Sequence, residues 1–255
     1  MTHHSIYALK YAGPFTSSGA FLMWLKDWDK TVMRHYYIWV ITGDHDPVVV
    51  DAGVSPELAR EKSLKGYVSP AEILRRMDMK AGEIRHVILT HLHWDHANGI
   101  SLFPNATVYV QEREYRFWTE DPIAQRPPFQ HVFSQDTARH LEKLEGSGHL
   151  RLIQGDEEIL PGITCLLAPG HSVGLQAVAV ETEKGTAILG SDCAHVFENY
   201  EKDWPSALIT DLVAWMKSYE KLRKRCGSMD LLFPGHDIKM RENYPEVAED
   251  ITQLV

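Results

Sequence analysis

The chain has 255 residues, of which 44% are hydrophobic and 24% are charged, a composition typical of a globular protein with a sizeable core. Its net charge of −9 argues against nucleic acid and anionic membrane surfaces as main partners, because both bind a basic face.

Three features of the sequence predict a cytoplasmic protein. The three cysteines are scattered and have no CxxC spacing, so a disulfide framework is not expected. The N-terminus shows no cationic segment followed by an apolar one, so we predict no signal peptide. The longest apolar runs, such as YYIWVI, are too short to cross a bilayer.

Short β-rich runs alternate with segments of helical period along the whole chain. One helix is predicted in SPAEILRRMDM, where Ser69 and Pro70 suit a helix start, and another in ITDLVAWMKSYEKLRKRCG, where Gly227 suits a helix end. No repeat or linker divides the chain, so we predict one α/β domain over 1–255. Within it, 112–150 is predicted to be a peripheral helical excursion. The β-rich runs are SIYALKYA, HYYIWVIT, PVVVDAG, HVILT, ATVYVQ, ITCLLAPG, LQAVAVET, TAILGSD and DLLFPGHD.

The segment 14–34 is rich in aromatic and apolar residues and leaves two alternatives open. It could be an active-site loop whose Phe21, Met23 and Trp24 contact a substrate. The alternative, slightly favoured, is an ordinary helix that buries a stripe of apolar side chains. That stripe would be Phe21, Trp24, Leu25 and Trp28.

Ionisable residues crowd together directly after the apolar run HVILT. His91, His93, Asp95 and His96 fall within six positions of THLHWDHANG, at the end of a predicted strand. Three further apolar runs end in the same way, and they supply His171, Asp192 and His236. Together these residues offer five imidazoles and two carboxylates, which is enough to hold two divalent metal ions.

These motifs resemble the metallo-β-lactamase superfamily. HxHxDH is followed by a PGHS histidine, an SD aspartate and a PGH histidine, and the similarity spans nearly the whole chain. The resemblance implies an αββα four-layer sandwich with a dinuclear metal site at one edge. Carried over by position, the first metal would be held by His91, His93 and His171, the second by Asp95, His96 and His236, and Asp192 would bridge the two.

The same resemblance bears on the metal and its surroundings. Zinc is the first candidate, and manganese, iron or cobalt are the alternatives. Asp51, in VVVDAG, stands where family members carry an aspartate that supports a ligand; a turn-capping role is the alternative.

Within the superfamily, the size and the early VVVDAGV strand are most similar to the N-acyl homoserine lactonases. In those enzymes a tyrosine commonly stands three residues after the bridging aspartate and touches the substrate; here that position is His195. Either His195 takes over as a hydrogen-bond donor, or the substrate differs. Tyr200 is a second candidate for the missing tyrosine, and a packing role is its alternative.

The predicted function is therefore a metal-dependent hydrolase that opens a lactone, with N-acyl homoserine lactones among the candidate substrates. A hydroxide shared by two ions would attack the carbonyl, while Asp95, Asp192 and His195 act as catalytic groups. Hydrolysis of a thioester, a β-lactam or an amide at the same site is the alternative, and phosphodiester cleavage is less favoured. The expected partner is a small molecule, and a homodimer is a candidate assembly.

Overall fold

The structure is a computed structural model that describes residues 3–255. Two β-sheets lie at its centre, one with eight strands and one with five. In chain order the strands are β1 (Ser5–Ser18), β2 (Thr31–Thr42), β3 (Val48–Val50), β4 (His86–Ile88), β5 (Thr107–Gln111), β6 (Leu150–Ile153), β7 (Glu157–Leu160), β8 (Ile163–Leu167), β9 (Gln176–Thr182), β10 (Gly185–Ser191), β11 (Leu232–Pro234), β12 (Glu246–Ala248) and β13 (Ile251–Gln253).

The larger sheet has the strand order β12-β13-β1-β2-β3-β4-β5-β6, and the smaller one β11-β10-β9-β8-β7. Helices connect and cover the strands. They are α1 (Gly19–Leu22), α2 (Pro56–Glu61), α3 (Pro70–Arg75), α4 (Trp94–Ala97), α5 (Glu112–Glu120), α6 (Pro127–Gln130), α7 (Gln135–Ser147), α8 (Phe197–Lys202), α9 (Leu212–Arg225) and α10 (Lys239–Glu242), with short 3₁₀ turns at Ala81–Glu83, Asn98–Leu102, Pro122–Gln125 and Met229–Leu231.

Alternation of side chains along the strands produces four layers. In β2, Trp39 packs between the two sheets, whereas its neighbour Ile38 packs against the helices outside the larger sheet. In β9, Val178 faces the core between the sheets and Ala179 faces the helices outside the smaller sheet. Because both faces of each strand are buried, the central strands are continuously apolar. The predicted αββα sandwich is confirmed.

The strand directions bring the polar segments to one edge. The strands β3, β4 and β5 run parallel, and β10 is parallel to β11, so within each set the carboxyl ends meet at the same edge. Asp51 follows β3, His91 lies just after β4, and Asp192 and His236 follow β10 and β11. Ligands of open α/β sheets bind at such carboxyl ends.

The segment 14–34 is neither one continuous loop over the site nor one continuous helix. β1 continues to Ser18, α1 is a single turn that ends at Leu22, and β2 begins at Thr31. The predicted helical stripe is wrong, because Leu25 and Trp28 are 59% and 72% exposed. Phe21 alone of the aromatic residues in this stretch lines the cavity described below.

The segment 112–150 is helical, as α5, α6 and α7, but it is not peripheral. The Trp118 ring is buried and lies 5.6 Å from the His93 ring. The backbone N–H of Trp94 donates a hydrogen bond to the Val132 carbonyl. This segment therefore forms one wall of the polar edge. Among residues 3–255, no helix is long and apolar enough to cross a membrane.

Candidate metal centre

Three of the predicted ligands form a first group at the edge of the sandwich. The ligand atoms of His91, His93 and His171 lie within 4.8 Å of one another. Nδ1 of His93 lies 2.9 Å from Nε2 of His171. Nδ1 of His171 is 3.1 Å from the Leu208 carbonyl, so that nitrogen carries the proton and leaves Nε2 as a lone pair facing the group.

A second group lies beside the first and contains Asp95, His96 and His236. His96 donates from Nδ1 to Asp51 at 2.7 Å, and His236 donates from Nδ1 to the His35 carbonyl at 2.9 Å. These bonds turn both Nε2 atoms towards Asp95, whose Oδ2 is 3.8 Å from each of them.

Asp192 lies between the two groups and presents one oxygen to each. Its Oδ2 is 3.3 Å from Nε2 of His171 and 3.9 Å from Nε2 of His91. Its Oδ1 is 3.0 Å from Nε2 of His236 and 3.4 Å from Nε2 of His96. A carboxylate placed in this way can serve two ions at once.

The donor set suits divalent cations. Nε2 of His91 and Nε2 of His96 are buried and make no hydrogen bond, which leaves two ring nitrogens without a partner at the cluster. Burial lowers the pKa of His91 and of His93 well below the usual value, and that of His171 to about 4, so these rings are neutral imidazoles at neutral pH. Neutral imidazole and carboxylate are ligands that zinc and similar ions prefer.

Asp192 and His96 shift each other's pKa values in opposite directions. Burial alone would raise the pKa of Asp192, but the neighbouring His195, His236 and His96 lower it well below the usual range. Burial alone would lower the pKa of His96, but Asp192, Asp51 and Asp95 raise it well above its usual value. The cluster therefore holds concentrated negative charge that favours bound cations.

A cavity of about 170 Å³ opens onto this cluster. Asp95 and Asp192 form its polar floor together with His93. The other lining residues are mostly aromatic or apolar, with one cation among them: Phe21, Arg34, Tyr36, Trp94, His131, Val132 and Leu208. A polar floor under an apolar wall is a common form of small-molecule site.

Comparison with known proteins agrees with this geometry. Residues 33–236 match the sequence profile of the metallo-beta-lactamase superfamily. The chain belongs to this superfamily. The predicted resemblance to this superfamily is therefore confirmed.

Several members of the superfamily are similar to this chain over most of its length. The N-acyl homoserine lactonase of Bacillus cereus is 27% identical in an alignment over 230 residues, with a coverage of 82% of this chain and 85% of that protein. The N-acyl homoserine lactonase AiiA of Bacillus thuringiensis subsp. kurstaki is 27% identical over 229 residues, with the same shares.

Solved structures share the fold. An N-acyl homoserine lactone hydrolase, with the product N-hexanoyl-L-homoserine bound at its catalytic metal centre, superposes with a TM-score of 0.79 at 24% identity, covering 97% of this chain and 98% of that one. The dizinc quorum-quenching lactonase AidC superposes with a TM-score of 0.71 at 18% identity, covering 93% and 88%.

His195 lies at the centre, on the side of the first ligand group. Its Nε2 is 3.3 Å from Oδ2 of Asp192, and its ring centroid is 5.0 Å from that of His171. The Phe21 ring packs edge-on against it at 6.0 Å. Burial lowers the pKa of His195 well below its usual value, so the ring is neutral at neutral pH. The structure therefore brings His195 together with the ligands, as a neutral donor or acceptor, although His195 is not among the residues that line the cavity.

Three other predicted substrate contacts lie elsewhere. Tyr200 packs against Tyr219 in the core between the smaller sheet and its helices, and its hydroxyl points towards Gly190 rather than the cavity. Met23 is buried beside Asn199, and Trp24 uses its carbonyl to accept a hydrogen bond from Trp204. None of these side chains lines the cavity. The prediction for Tyr200 is corrected because α8 turns its ring into the core.

Glu114 is a site residue that the sequence analysis missed. Its buried carboxylate accepts hydrogen bonds from the backbone of Leu92 and Gly174 and from the side chains of Trp118 and Ser172. Burial raises the pKa of Glu114, and the donors oppose that rise. The sequence signal for Glu114 was an acidic residue one helical turn before Trp118, on the same buried face of α5.

Two residues that the sequence analysis did not identify, Thr90 and Ser191, form hydrogen bonds around Asp51 and so stabilise the second ligand group. Thr90 donates to Asp51 from its backbone N–H at 2.8 Å and from its hydroxyl at 2.9 Å. The Ser191 hydroxyl lies 2.9 Å from that of Thr90. Because Asp51 also accepts from His96, the network fixes the tautomer of that ring. Asp51 thus contacts one of the candidate ligands directly, and its role in supporting a metal ligand stays a prediction.

Proposed function

We propose that this chain is a metal-dependent hydrolase that opens a lactone, with N-acyl homoserine lactones as the first substrate class to test. The observation that carries the proposal is Asp192, whose two oxygens face two separate groups of buried ligands. The names of the similar proteins, which are N-acyl homoserine lactonases, support the choice of a lactone over other acyl compounds.

We propose that the first ion is held by His91, His93 and His171, the second by Asp95, His96 and His236, and that Asp192 touches both. Zinc is the first candidate because imidazole nitrogens dominate the donor set, and Mn²⁺, Fe²⁺ or Co²⁺ are the alternatives. When bound, two such ions lower the pKa of a water molecule towards neutrality and polarise a substrate carbonyl.

The protein's own groups supply orientation and proton transfer. The carboxylate of Asp95 lines the cavity and is 13% exposed, so it can accept a proton from the attacking water and deliver it to the leaving alkoxide. Asp192 holds its position between the ligand groups. His195, neutral and next to Oδ2 of Asp192, offers a ring nitrogen to a substrate oxygen. The aromatic side chains of Phe21, Tyr36 and Trp94 form the cavity wall and exclude water from around the lactone ring of the substrate.

The test is hydrolysis of a lactone panel by protein loaded with zinc, manganese or cobalt, with chelated protein as the control. The panel contains acyl homoserine lactones of several chain lengths, simple γ-lactones, a thioester, a β-lactam, an amide and a phosphodiester. Chelator-sensitive opening of lactones is the expected result. Turnover of the thioester, β-lactam or amide with no lactone turnover would refute the lactone assignment, and turnover of the phosphodiester alone would refute carboxylic ester chemistry.

Two further properties are proposed with this function. We propose a reducing, cytoplasmic location, because all three cysteines are free and Cys165 and Cys193 are buried thiols. We also propose that the chain forms a homodimer, for which the exposed side chains of Leu25 and Trp28 are candidate contacts. Light scattering of the wild type and of Trp28→Ser measures the assembly, and a monomeric wild type would refute the dimer.

A further inference from the structure

Arg34 is a cation in the wall of the cavity. It lies near the start of β2, and its backbone forms an isolated bridge to Asp237, the residue that follows His236. The side chain is half-buried and lines the same cavity as Asp95 and Asp192. A guanidinium is positively charged and offers several N–H donors.

Neighbouring side chains hold the Arg34 guanidinium in one orientation. Its Nε donates to Ser17 Oγ at 2.7 Å. Its central carbon lies 4.9 Å from the centroid of the Tyr36 ring and 5.9 Å from that of Phe21. Both rings lie within cation–π distance of the guanidinium, and the bond to Ser17 uses Nε rather than a terminal nitrogen.

Arg34 forms no ion pair with another of the described residues. Across residues 3–255, no carboxylate oxygen lies within 4.0 Å of its guanidinium nitrogens. Asp237, the bridge partner of Arg34, uses its two oxygens to accept from the N–H groups of Phe197 and Lys239. By contrast, Arg76 and Arg241 both pair with Asp250. Half-buried cations are normally paired, so an unpaired one in a cavity wall is a candidate ligand contact.

The size and charge of the cavity favour a small anionic ligand. Its volume of about 170 Å³ is below the ~300–1,000 Å³ of sites for drug-sized molecules, so the enclosed part suits a small ring. Asp95 and Asp192 neutralise only half of the charge that two divalent ions would bring. Arg34 adds to that positive potential, which favours an anionic ligand.

We propose that Arg34 binds a carboxylate on the substrate, so that the preferred substrate is a small lactone with a carboxylate substituent. This inference rests on the proposed lactone hydrolysis and, among lactones, favours one that carries a carboxylate over the uncharged N-acyl homoserine lactones. The guanidinium matches a carboxylate through two parallel N–H donors, a geometry that lysine cannot reproduce. Arg34 is therefore a specificity-determining residue, and the wall of Tyr36 and Phe21 positions it.

A matched pair of lactones tests the specificity. The substrates are γ-carboxy-γ-butyrolactone and its carboxamide, which share the ring and differ in charge. The zinc-loaded wild type should prefer the carboxylate by about tenfold or more in kcat/KM, the value of a charge-assisted contact. Arg34→Gln should abolish the preference mainly through KM, and Arg34→Lys should keep part of it. Equal kcat/KM values for the two lactones in the wild type would overturn the proposal.

A second cation in the same part of the chain provides the control. Lys30 is exposed and pairs with Asp27 rather than lining the cavity. Lys30→Gln removes the same charge as Arg34→Gln and should leave the carboxylate preference at the wild-type value. An equal loss of preference in both variants would show a general effect of net charge and would overturn a specific contact of Arg34.

A binding measurement separates this inference from the proposed function. Calorimetry with cyclopentanecarboxylate and cyclopentanecarboxamide, which contain no ester, reports recognition without turnover. The dissociation constant of the carboxylate should rise about tenfold or more in Arg34→Gln and stay constant in Lys30→Gln. If no lactone of either experiment is opened, the proposed function fails, and the calorimetric result still decides the role of Arg34. An unchanged dissociation constant in Arg34→Gln would refute that role.

Discussion

The Ser172 hydroxyl donates a hydrogen bond to the buried Glu114 carboxylate at 2.6 Å. The same carboxylate accepts from the backbone N–H of Leu92 at 3.1 Å. Ser172 directly follows His171, and Leu92 stands between His91 and His93. One side chain of α5 therefore joins the two segments that carry the first ligand group, although they are far apart in the sequence.

We expect Glu114→Gln to weaken both the fold and the metal centre. Glutamine has one acceptor oxygen in place of two, so at least one of the four donors loses its partner in a buried site. The free energy of unfolding should fall by about 2–3 kcal/mol, and zinc affinity should fall about tenfold or more. Urea unfolding and a competitive chelator titration measure the two effects.

Glu112 provides the matched control on the same helix. It is more exposed than Glu114 and pairs with Arg116 at the surface. Glu112→Gln should change the unfolding free energy by less than about 0.5 kcal/mol and leave zinc affinity unaltered. If both variants behave like the wild type, Glu114 does not hold the two segments together.

Asp51→Asn tests the support of the second ligand group. Asp51 has a left-handed backbone with φ of +62°, which asparagine tolerates, so the substitution should fold. The amide can no longer accept from both Thr90 and His96, and the ring loses its fixed tautomer. Affinity for the more weakly bound ion should fall about 10–100-fold. Retention of two tightly bound ions would contradict this role.

Asp192→Asn should remove metal retention and activity together. The variant loses the negative charge that faces both ligand groups, so we expect fewer than two ions per chain and a fall in kcat of about 10²-fold or more. Metal analysis by mass spectrometry and lactone hydrolysis are measured on the same preparation. Full metal occupancy with wild-type turnover would show that Asp192 bridges nothing.

Replacement of His195 should lower the turnover number and leave the number of bound metal ions unchanged. His195→Phe keeps the ring volume against Phe21 and removes both ring nitrogens, so kcat should fall about 10–100-fold. His195→Tyr, which restores the residue common in the lactonases, should retain more activity than His195→Phe. Loss of an ion in His195→Phe would instead identify His195 as a ligand.

The ion pairs of Asp250 lead us to expect that the free energy of unfolding depends on pH for a reason unrelated to the metal centre. Its carboxylate pairs with Lys10 at 2.6 Å and with Arg76 and Arg241, both at 3.1 Å. Burial would raise its pKa, but these cations lower it below the usual value. Because the folded pKa is lower than the unfolded one, the stabilisation is present above about pH 5 and is lost as the pH falls through the folded value.

Asp250→Asn should therefore be less stable than the wild type by about 1–2 kcal/mol at pH 7, and the difference should shrink below about pH 4. Asparagine suits the left-handed φ of +63° at this position, so backbone strain does not enter the comparison. Urea unfolding at several pH values gives the difference directly. A difference that stays constant down to the acid limit would refute the linkage.

The clustering of the candidate ligands could be predicted because most of them follow a strand and the spacing within HLHWDH is local. His91, His93 and His96 reach one site through a strand end and a single helical turn, and the backbone alone keeps them together. His171, Asp192 and His236 each follow an apolar run, and strands in the same direction deliver their ends to one edge.

The environment of those ligands could not be predicted from the sequence. Glu114 and Arg34 lie on a helix and on a strand with no local motif, and only packing brings them to the ligands or the cavity. Tyr200 has a suitable sequence distance from Asp192, yet α8 turns its ring into the core. Sequence separation does not specify the direction of a side chain after a turn.

The sequence by itself determined the family, the four-layer sandwich and the identity of the candidate ligands, because alternating apolar strands and local ligand spacing depend on short-range geometry. The tertiary structure decided which oxygen of Asp192 faces which group and which wall residues enclose the cavity. It also decided that Arg34 remains unpaired there among the described residues. Those properties depend on contacts between segments distant in the chain, and no local pattern encodes such contacts.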